Sequence, residues 1–294
     1  ARHLRSALAQ RYDVTPEQVF AANGSNEVLQ SLLLAYGGEG RSVAVFEPTY
    51  AMYSQIARTT GTRLVKGRRA ADFSLDSSSA RQLVLDERPD VVILCSPNNP
   101  TGTPAANGLV VDLEKAVGSY GGLLVLDEAY GEFAPEGAAG LVSEDRCVVV
   151  SRTFSKTWAM AGARLGYLIA PTWCVAELEK VALPYHLDAL KLEIGVLALG
   201  YVDAMRERVE RLVAERERMA TALGGLAVTT WPSAANFILL RPDSRPGREV
   251  WQDLVERSVL VRDFTTMPGL EECLRVTIGS RDENDMFLDA LREV

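Results

Sequence analysis

Histidine is scarce in this chain: His3 and His186 are the only two among 294 residues. No histidine cluster is on hand to bind a metal. The four cysteines, Cys95, Cys147, Cys174 and Cys273, form no CxxC or Cys/His pair of zinc-site spacing. Scattered cysteines read as free thiols in a reducing compartment, which points to the cytoplasm. Basic charge is also in deficit. With 31 Lys and Arg against 39 Asp and Glu, the net charge is −8. That balance disfavours nucleic acid or an anionic membrane as the main partner. No uncharged apolar run reaches the ~18–20 residues of a membrane span, and no signal-peptide pattern opens the chain. Internal repeats and low-complexity linkers are missing too.

What is present is a large apolar fraction, 47%, enough for one big domain or two of ordinary size. Short apolar runs such as "SVAVFEP", "DVVILC", "GLLVLDEAY" and "CVVVSRTFSK" alternate with stretches of helical spacing. Near-continuous apolar strands between helices predict a mainly parallel α/β sheet covered on both faces. Chemistry in such sheets gathers at the carboxyl ends of the strands. After about residue 180 the pattern changes. "YVDAMRERVERLVAERERMATAL" predicts a long charged helix, read as a solvated face, and the segments from "VTTWPSAANFILLRP" to "RDENDMFLDALREV" predict a compact α+β unit with strands in "VLVRDF" and "CLRVTIGS". The expected division is a large domain over residues 1–200 and a small one over 201–294.

Several polar groups follow strands and suggest a site. In "RTFSKTWAMAGARLGY", Lys156 sits among Thr153, Ser155 and Arg164. Hydroxyls and an arginine make a phosphate clamp, and an amine beside it suggests a phosphorylated aldehyde held covalently. Asp127 ends an apolar strand in "LLVLDEAYGEF", with Tyr130 three residues on. A carboxylate there could hold a heteroaromatic nitrogen protonated, or simply cap a turn. "ANGSNEVL" offers Ser25 and Asn26 at a helix start, where N–H groups favour phosphate, although the same letters also spell a capping box. Tyr50 in "EPTYAMY" could cover a flat ring. Asn99 in "SPNNPTG" could donate to an oxygen on that ring, with Asn98 serving the turn. Arg275 in "CLRVTIG" and Arg262 in "VLVRDF" read as anion ligands, or as ion-pair partners of Asp263 or Glu271.

Taken in order, "NGSNE", "PTYAMY", "SPNNPTG", "DEAYGEF", "RTFSK", "ARLGY", "LPYHL" and "LRVTIG" resemble the fold-type I pyridoxal-phosphate aminotransferases. Within them the chain is most similar to the histidinol-phosphate aminotransferase family, above all its actinobacterial branch. The resemblance implies a homodimer that binds pyridoxal 5′-phosphate and no metal. It implies Lys156 as the covalent cofactor link and proton shuttle, and Asp127 as partner of the ring nitrogen. Asn99 and Tyr130 would bond the ring oxygen, and Tyr50 would stack on the ring. Ser25, Asn26, Thr153, Ser155 and Arg164 would surround the phosphate. Arg275, helped by Arg262, would take the substrate's anionic group, with Asn99 near it. The implied reaction moves an amino group from L-histidinol phosphate to 2-oxoglutarate. The alternatives are an aromatic (phenylalanine) aminotransferase and a lyase like threonine-phosphate decarboxylase.

Two departures stand out. The family carries some fifty or more residues ahead of the first helix seen here, with an Asn-Glu-Asn-Pro-like segment and a Tyr-Pro segment. This chain opens on "ARHLRSALAQRYDV" without an initiator Met and without either segment: either upstream residues are missing from it or the protein lacks them, and a true lack would impair cofactor retention and closure on the substrate. Lys191 and Glu193 also stand where small, neutral residues are expected.

Overall fold

The computed structural model describes residues 1–135 and 137–294, with the side chain of residue 107 also outside the description. Its first half follows the alternation. Helix α1 (Arg2–Tyr12) leads to β1 (Val19–Ala22), α2 (Ser25–Tyr36), β2 (Ser42–Glu47), α3 (Met52–Thr59) and β3 (Arg63–Arg68). Then come α4 (Ser77–Glu87), β4 (Val91–Cys95), α5 (Asn107–Gly118), β5 (Leu123–Asp127), β6 (Val148–Thr153) and β7 (Gly166–Ile169). The seven strands form one sheet in the order β1-β7-β6-β5-β4-β2-β3. The pairs from β3 through β6 are parallel, while β7 runs antiparallel to both β6 and β1.

Side chains alternate between the two faces of a strand. Val92, Leu94, Leu124 and Leu126 therefore join one core, and Val91, Ile93, Leu123 and Val125 join the other. Both faces are packed, so the central strands carry no polar alternation. Each buried Val or Leu contributes about 1.5–3 kcal/mol relative to exposure.

The second half begins with α6 (Thr172–Val181), α7 (Ala189–Leu199) and the long α8 (Val202–Leu223). It continues with β8 (Val228–Thr230), β9 (Phe237–Pro242), α9 (Gly247–Glu256), β10 (Arg262–Asp263), β11 (Leu274–Thr277) and α10 (Arg281–Glu293). Its four strands form a separate antiparallel sheet, β10-β11-β9-β8. Ser280 and Glu283 start α10 with a reciprocal capping box.

Helix α8 is more than a solvated face. Met205 and Val209 pack into the large sheet's core, and Met219 and Leu223 into that of the small sheet. Arg216 is buried and donates to the Ala235 carbonyl at 3.0 Å. The strand expected in "VLVRDF" shrinks to the two residues Arg262 and Asp263. All four cysteines are free, with Cys147 only half-buried.

Candidate active site

Parallel pairing fixes where the strand ends fall. Cys95, Asp127 and Ser151 are direct neighbours across β4, β5 and β6. The loops after these strands thus leave the sheet at one level. One pocket there is lined by Ser25, Asn26, Tyr50, Asn99, Asp127, Tyr130, Thr153, Ser155, Lys156 and Arg164, with Cys95 and Ala129 in its walls. Ten residues singled out in the sequence, from positions 25 to 164, thus meet in one place. A larger groove of about 560 Å³ lies nearby, but its one charged group among the described residues is Glu128. Glu128 is already paired with Arg152, so the chemistry belongs to the smaller pocket.

At one end the pocket is built for an anion. Gly24 caps α2 with φ +81°, so Ser25 and Asn26 open that helix with free N–H groups. Arg164 crosses behind them, and a Cβ at Gly24 would lie 2.7 Å from its guanidinium Nη2. A Cβ at Gly166 would run into the Gly24 and Ser25 backbone. These two glycines let β7, Arg164 and the α2 start approach closely. Arg164 donates to the Ser155 hydroxyl at 3.2 Å, and the Ser155 N–H donates to Thr153 Oγ1 at 3.1 Å.

At the other end Asp127 is buried. It accepts from the Tyr53 hydroxyl at 2.6 Å and from the Ala129 N–H at 3.2 Å. Burial pushes its pKa up to about 6, and those two hydrogen bonds only partly offset the rise. The Lys156 ammonium lies 5.2 Å from the centre of the Tyr130 ring. Lys156 is exposed as a whole residue, yet the protein around its ammonium lowers its pKa. The positive charges of Arg275 and Arg164 lower it further. Burial raises the Tyr130 phenol well above its ordinary value. Tyr50 donates to Asn26 Oδ1 at 3.2 Å and meets Tyr53 edge-on at 5.6 Å.

The "SPNNPTG" loop divides its two asparagines. Asn98 is fully buried and binds the Pro48 carbonyl at 3.0 Å and Thr101 at 2.8 Å, and it accepts from Thr49 at 2.7 Å. It holds the loop. Asn99 faces the pocket, and its Oδ1 accepts from Arg275 of the small sheet at 2.6 Å. That leaves the Asn99 amide N–H groups as donors. Arg275 lies 4.6 Å over the Phe237 ring, and its Nε is buried without a partner. Arg275 and its cross-strand neighbour Arg262 both stand outside the lining of this pocket: Arg275 reaches it through Asn99, and Arg262 is exposed. Neither arginine takes the alternative ion pairs: Asp263 is bound to Arg248, and Glu271 accepts from the Gly269 N–H at 3.0 Å.

Sequence reasoning missed two features. Tyr53 of α3 was not singled out, yet its hydroxyl donates to Asp127. The buried pair Arg152–Glu128 lies behind the site, with Glu132 at 3.2 Å and the Tyr12 hydroxyl at 3.3 Å from Arg152 Nη1. The signal was available: an arginine inside the apolar run "VVVSRT" needs a buried counter-charge.

The model of the class I and II aminotransferase family matches residues 1–291. The chain belongs to that family. It is 43% identical over 302 residues to a protein of Streptomyces avermitilis named histidinol-phosphate aminotransferase, covering 100% of this chain and 80% of that one. Among solved structures, the histidinol-phosphate aminotransferase of Clostridium acetobutylicum superimposes with a TM-score of 0.92 at 21% identity. That match spans 99% of this chain and 88% of that one, and at this identity it speaks to fold alone. The histidinol-phosphate aminotransferase of Sinorhizobium meliloti, solved with pyridoxal 5′-phosphate, gives 0.90 at 25% identity over 100% of this chain and 82% of that one. The aminotransferase's architecture is thus fold type I, a mainly parallel sheet with a small antiparallel one beside it.

Proposed function

We propose that this aminotransferase uses pyridoxal 5′-phosphate to move the amino group of L-histidinol phosphate to 2-oxoglutarate, a step of histidine biosynthesis. The observation that carries it is the pocket itself: an anion cradle at one end, a buried carboxylate at the other, and a lysine between them. The named relative at 43% identity supports the choice of substrate.

The residues fit the cofactor. The cradle of Ser25, Asn26, Thr153, Ser155 and Arg164 suits a phosphate, and the close approach at Gly24 and Gly166 leaves no side chain in its way. Asp127, buried without a counter-ion, suits a protonated ring nitrogen. When bound, the cofactor supplies an electron sink that lets an amino-bearing carbon give up its proton. Lys156 would hold the cofactor covalently. Its lowered pKa favours the neutral amine, and Nζ is the base that takes the proton from the substrate carbon and returns it. Asn99 and Tyr130 would donate to the ring oxygen, and Tyr50 would lie on the ring. The orphaned Nε of Arg275 is free for the substrate's anionic group. Arg262, one strand away, adds positive charge; it is exposed, and neither arginine forms part of the pocket wall itself.

A second copy of the chain is the proposed partner. Leu183, Tyr185, Leu190, Ile194, Leu197 and Tyr201 are all exposed within one stretch across α7, an apolar face of the kind that marks an interface. Sedimentation at micromolar concentration should give a dimer. We place the protein in the cytoplasm, where its four free thiols would stay reduced. We divide it into domains 1–200 and 201–294. Among the described residues no helix is long and apolar enough to cross a membrane.

The test is glutamate formation from 2-oxoglutarate with L-histidinol phosphate or L-phenylalanine as donor. Glutamate from phenylalanine alone overturns the substrate, in favour of an aromatic donor. Release of CO2 from a phosphorylated amino acid, without glutamate, overturns the reaction class. Lys156→Ala should abolish both turnover and the absorbance band of covalently bound cofactor.

A further inference from the structure

Lys191 stands out because its position is electrostatically awkward. It lies in the first turn of α7, capped by Asp188, whose Oδ1 accepts the Lys191 N–H at 2.9 Å. A cation in a first turn opposes the helix dipole. The side chain is nevertheless held at both sides. Its ammonium is 3.3 Å from the Asp188 carboxylate and donates to Asn23 Oδ1 at 2.6 Å. Asn23 is the residue before Gly24, at the entry to the anion cradle. Its amide nitrogen donates to Glu27 Oε2 at 2.8 Å and to the His186 carbonyl at 2.8 Å. Its own N–H also donates to Glu27. Every polar group of this side chain is therefore engaged, and Lys191 supplies the one bond to its oxygen.

We propose that Lys191 is a positioning residue: through Asn23 it fixes the turn Asn23–Asn26, and so the N–H groups that receive a phosphate. Two links make the chain of cause short. Gly24 N–H donates to the Ala22 carbonyl at 2.8 Å, so the turn is tight and a shift of Asn23 is passed on to Ser25. The positive charge beside the turn also adds to the potential that Arg164 and the α2 start present to an anion. The inference rests on reading the pocket as the cofactor's phosphate site. It also gives the lysine, unexpected in this helix, a task within that site.

The experiment is a titration of cofactor-free protein with pyridoxal 5′-phosphate, followed by quenching of intrinsic tryptophan fluorescence. Lys191→Met keeps the length of the side chain and removes its charge. Its dissociation constant should rise about tenfold, the scale of one hydrogen bond to a charged group. Lys191→Arg, which keeps charge and donors, should recover most of the loss. Lys180→Met on α6, where the lysine pairs with Glu177, should match the wild type. Asn23→Ala combined with Lys191→Met should lose no more than the worse single variant, because both act through one contact. A Lys191→Met constant within twofold of wild type overturns the inference, and so does additive loss in the double variant. So does a drop in melting temperature that leaves the constant unchanged. A wild-type protein that takes up no cofactor overturns the reading of the site, and this inference with it.

Discussion

In the cofactor-free protein, Asp127→Asn should remove a pH dependence of stability rather than stability as such. Asp127 is 3% exposed and has no cation bound to it. Burial raises its pKa from 3.8 to about 6. The folded state then holds the proton more tightly than the unfolded chain. Wild-type stability therefore falls as pH rises between those two values, and the loss is complete above the upper one. At ~1.4 kcal/mol per pH unit, the rise comes to about 3 kcal/mol. Asparagine does not titrate, and its oxygen can still accept from Tyr53. Its amide nitrogen adds a constant offset, so the slope is the test and the intercept is not. Urea unfolding of both proteins at intervals from pH 4 to pH 8 measures the difference. That difference should shift in favour of the variant by about 3 kcal/mol across the window and then stay level. A difference that is flat with pH would falsify the burial argument. Pyridoxal 5′-phosphate should reverse the order at neutral pH, since the charged carboxylate then gains a partner that the amide lacks.

Tyr53→Phe removes the hydroxyl that stabilises the Asp127 carboxylate. In the same urea series the upper edge of its pH window should move upward while the lower edge stays, with a loss of about 1–2 kcal/mol at neutral pH; an unmoved upper edge would refute the coupling. Gly166→Ala places a methyl against the Gly24 and Ser25 backbone. It should cost about 1–3 kcal/mol in unfolding experiments and weaken cofactor binding, and a variant equal to wild type in both would show that the approach is looser than described. Arg152→Met strands Glu128 as a buried charge and should destabilise by about 3–5 kcal/mol. A loss below about 1 kcal/mol would mean that water reaches Glu128, as at an exposed pair.

The sheet was legible because its strands are buried on both faces. Runs such as "VVILC" and "LLVLD" cannot be surface, and the polar groups that follow them then had to lie at strand ends. That logic located Asp127, Asn99 and Lys156 without any view of their neighbours. It failed where function depends on a partner across the sheet. Tyr53 sits on a helix and Arg152 in an apolar strand; only the placement of α3 over Asp127 and the register of β5 and β6 show which carboxylate each one meets. Arg262 and Arg275 share a strand pair, yet only Arg275 is tied to the site, through its bond to Asn99; spacing along the sequence carried no sign of that difference. Lys191 was visible as an oddity and became intelligible only when α7 was seen beside the Asn23 turn.

The pairing of β1 with β7 also sets a timetable. Residues 19–22 are made early, but among the described residues their only strand partner is residues 166–169. A chain emerging from the ribosome can close β2, β3, β4 and β5 while β1 still lacks its neighbour. Ser25 and Asn26, which hang from the end of β1, gain their place only once Arg164 and β7 have followed. The proposed phosphate cradle is therefore among the last parts of the large sheet to be completed, after Lys156 and Asp127 have already been synthesised. A nascent chain halted after Lys156 but before β7 would hold Lys156 and Asp127 yet lack the strand against which the proposed cradle is completed.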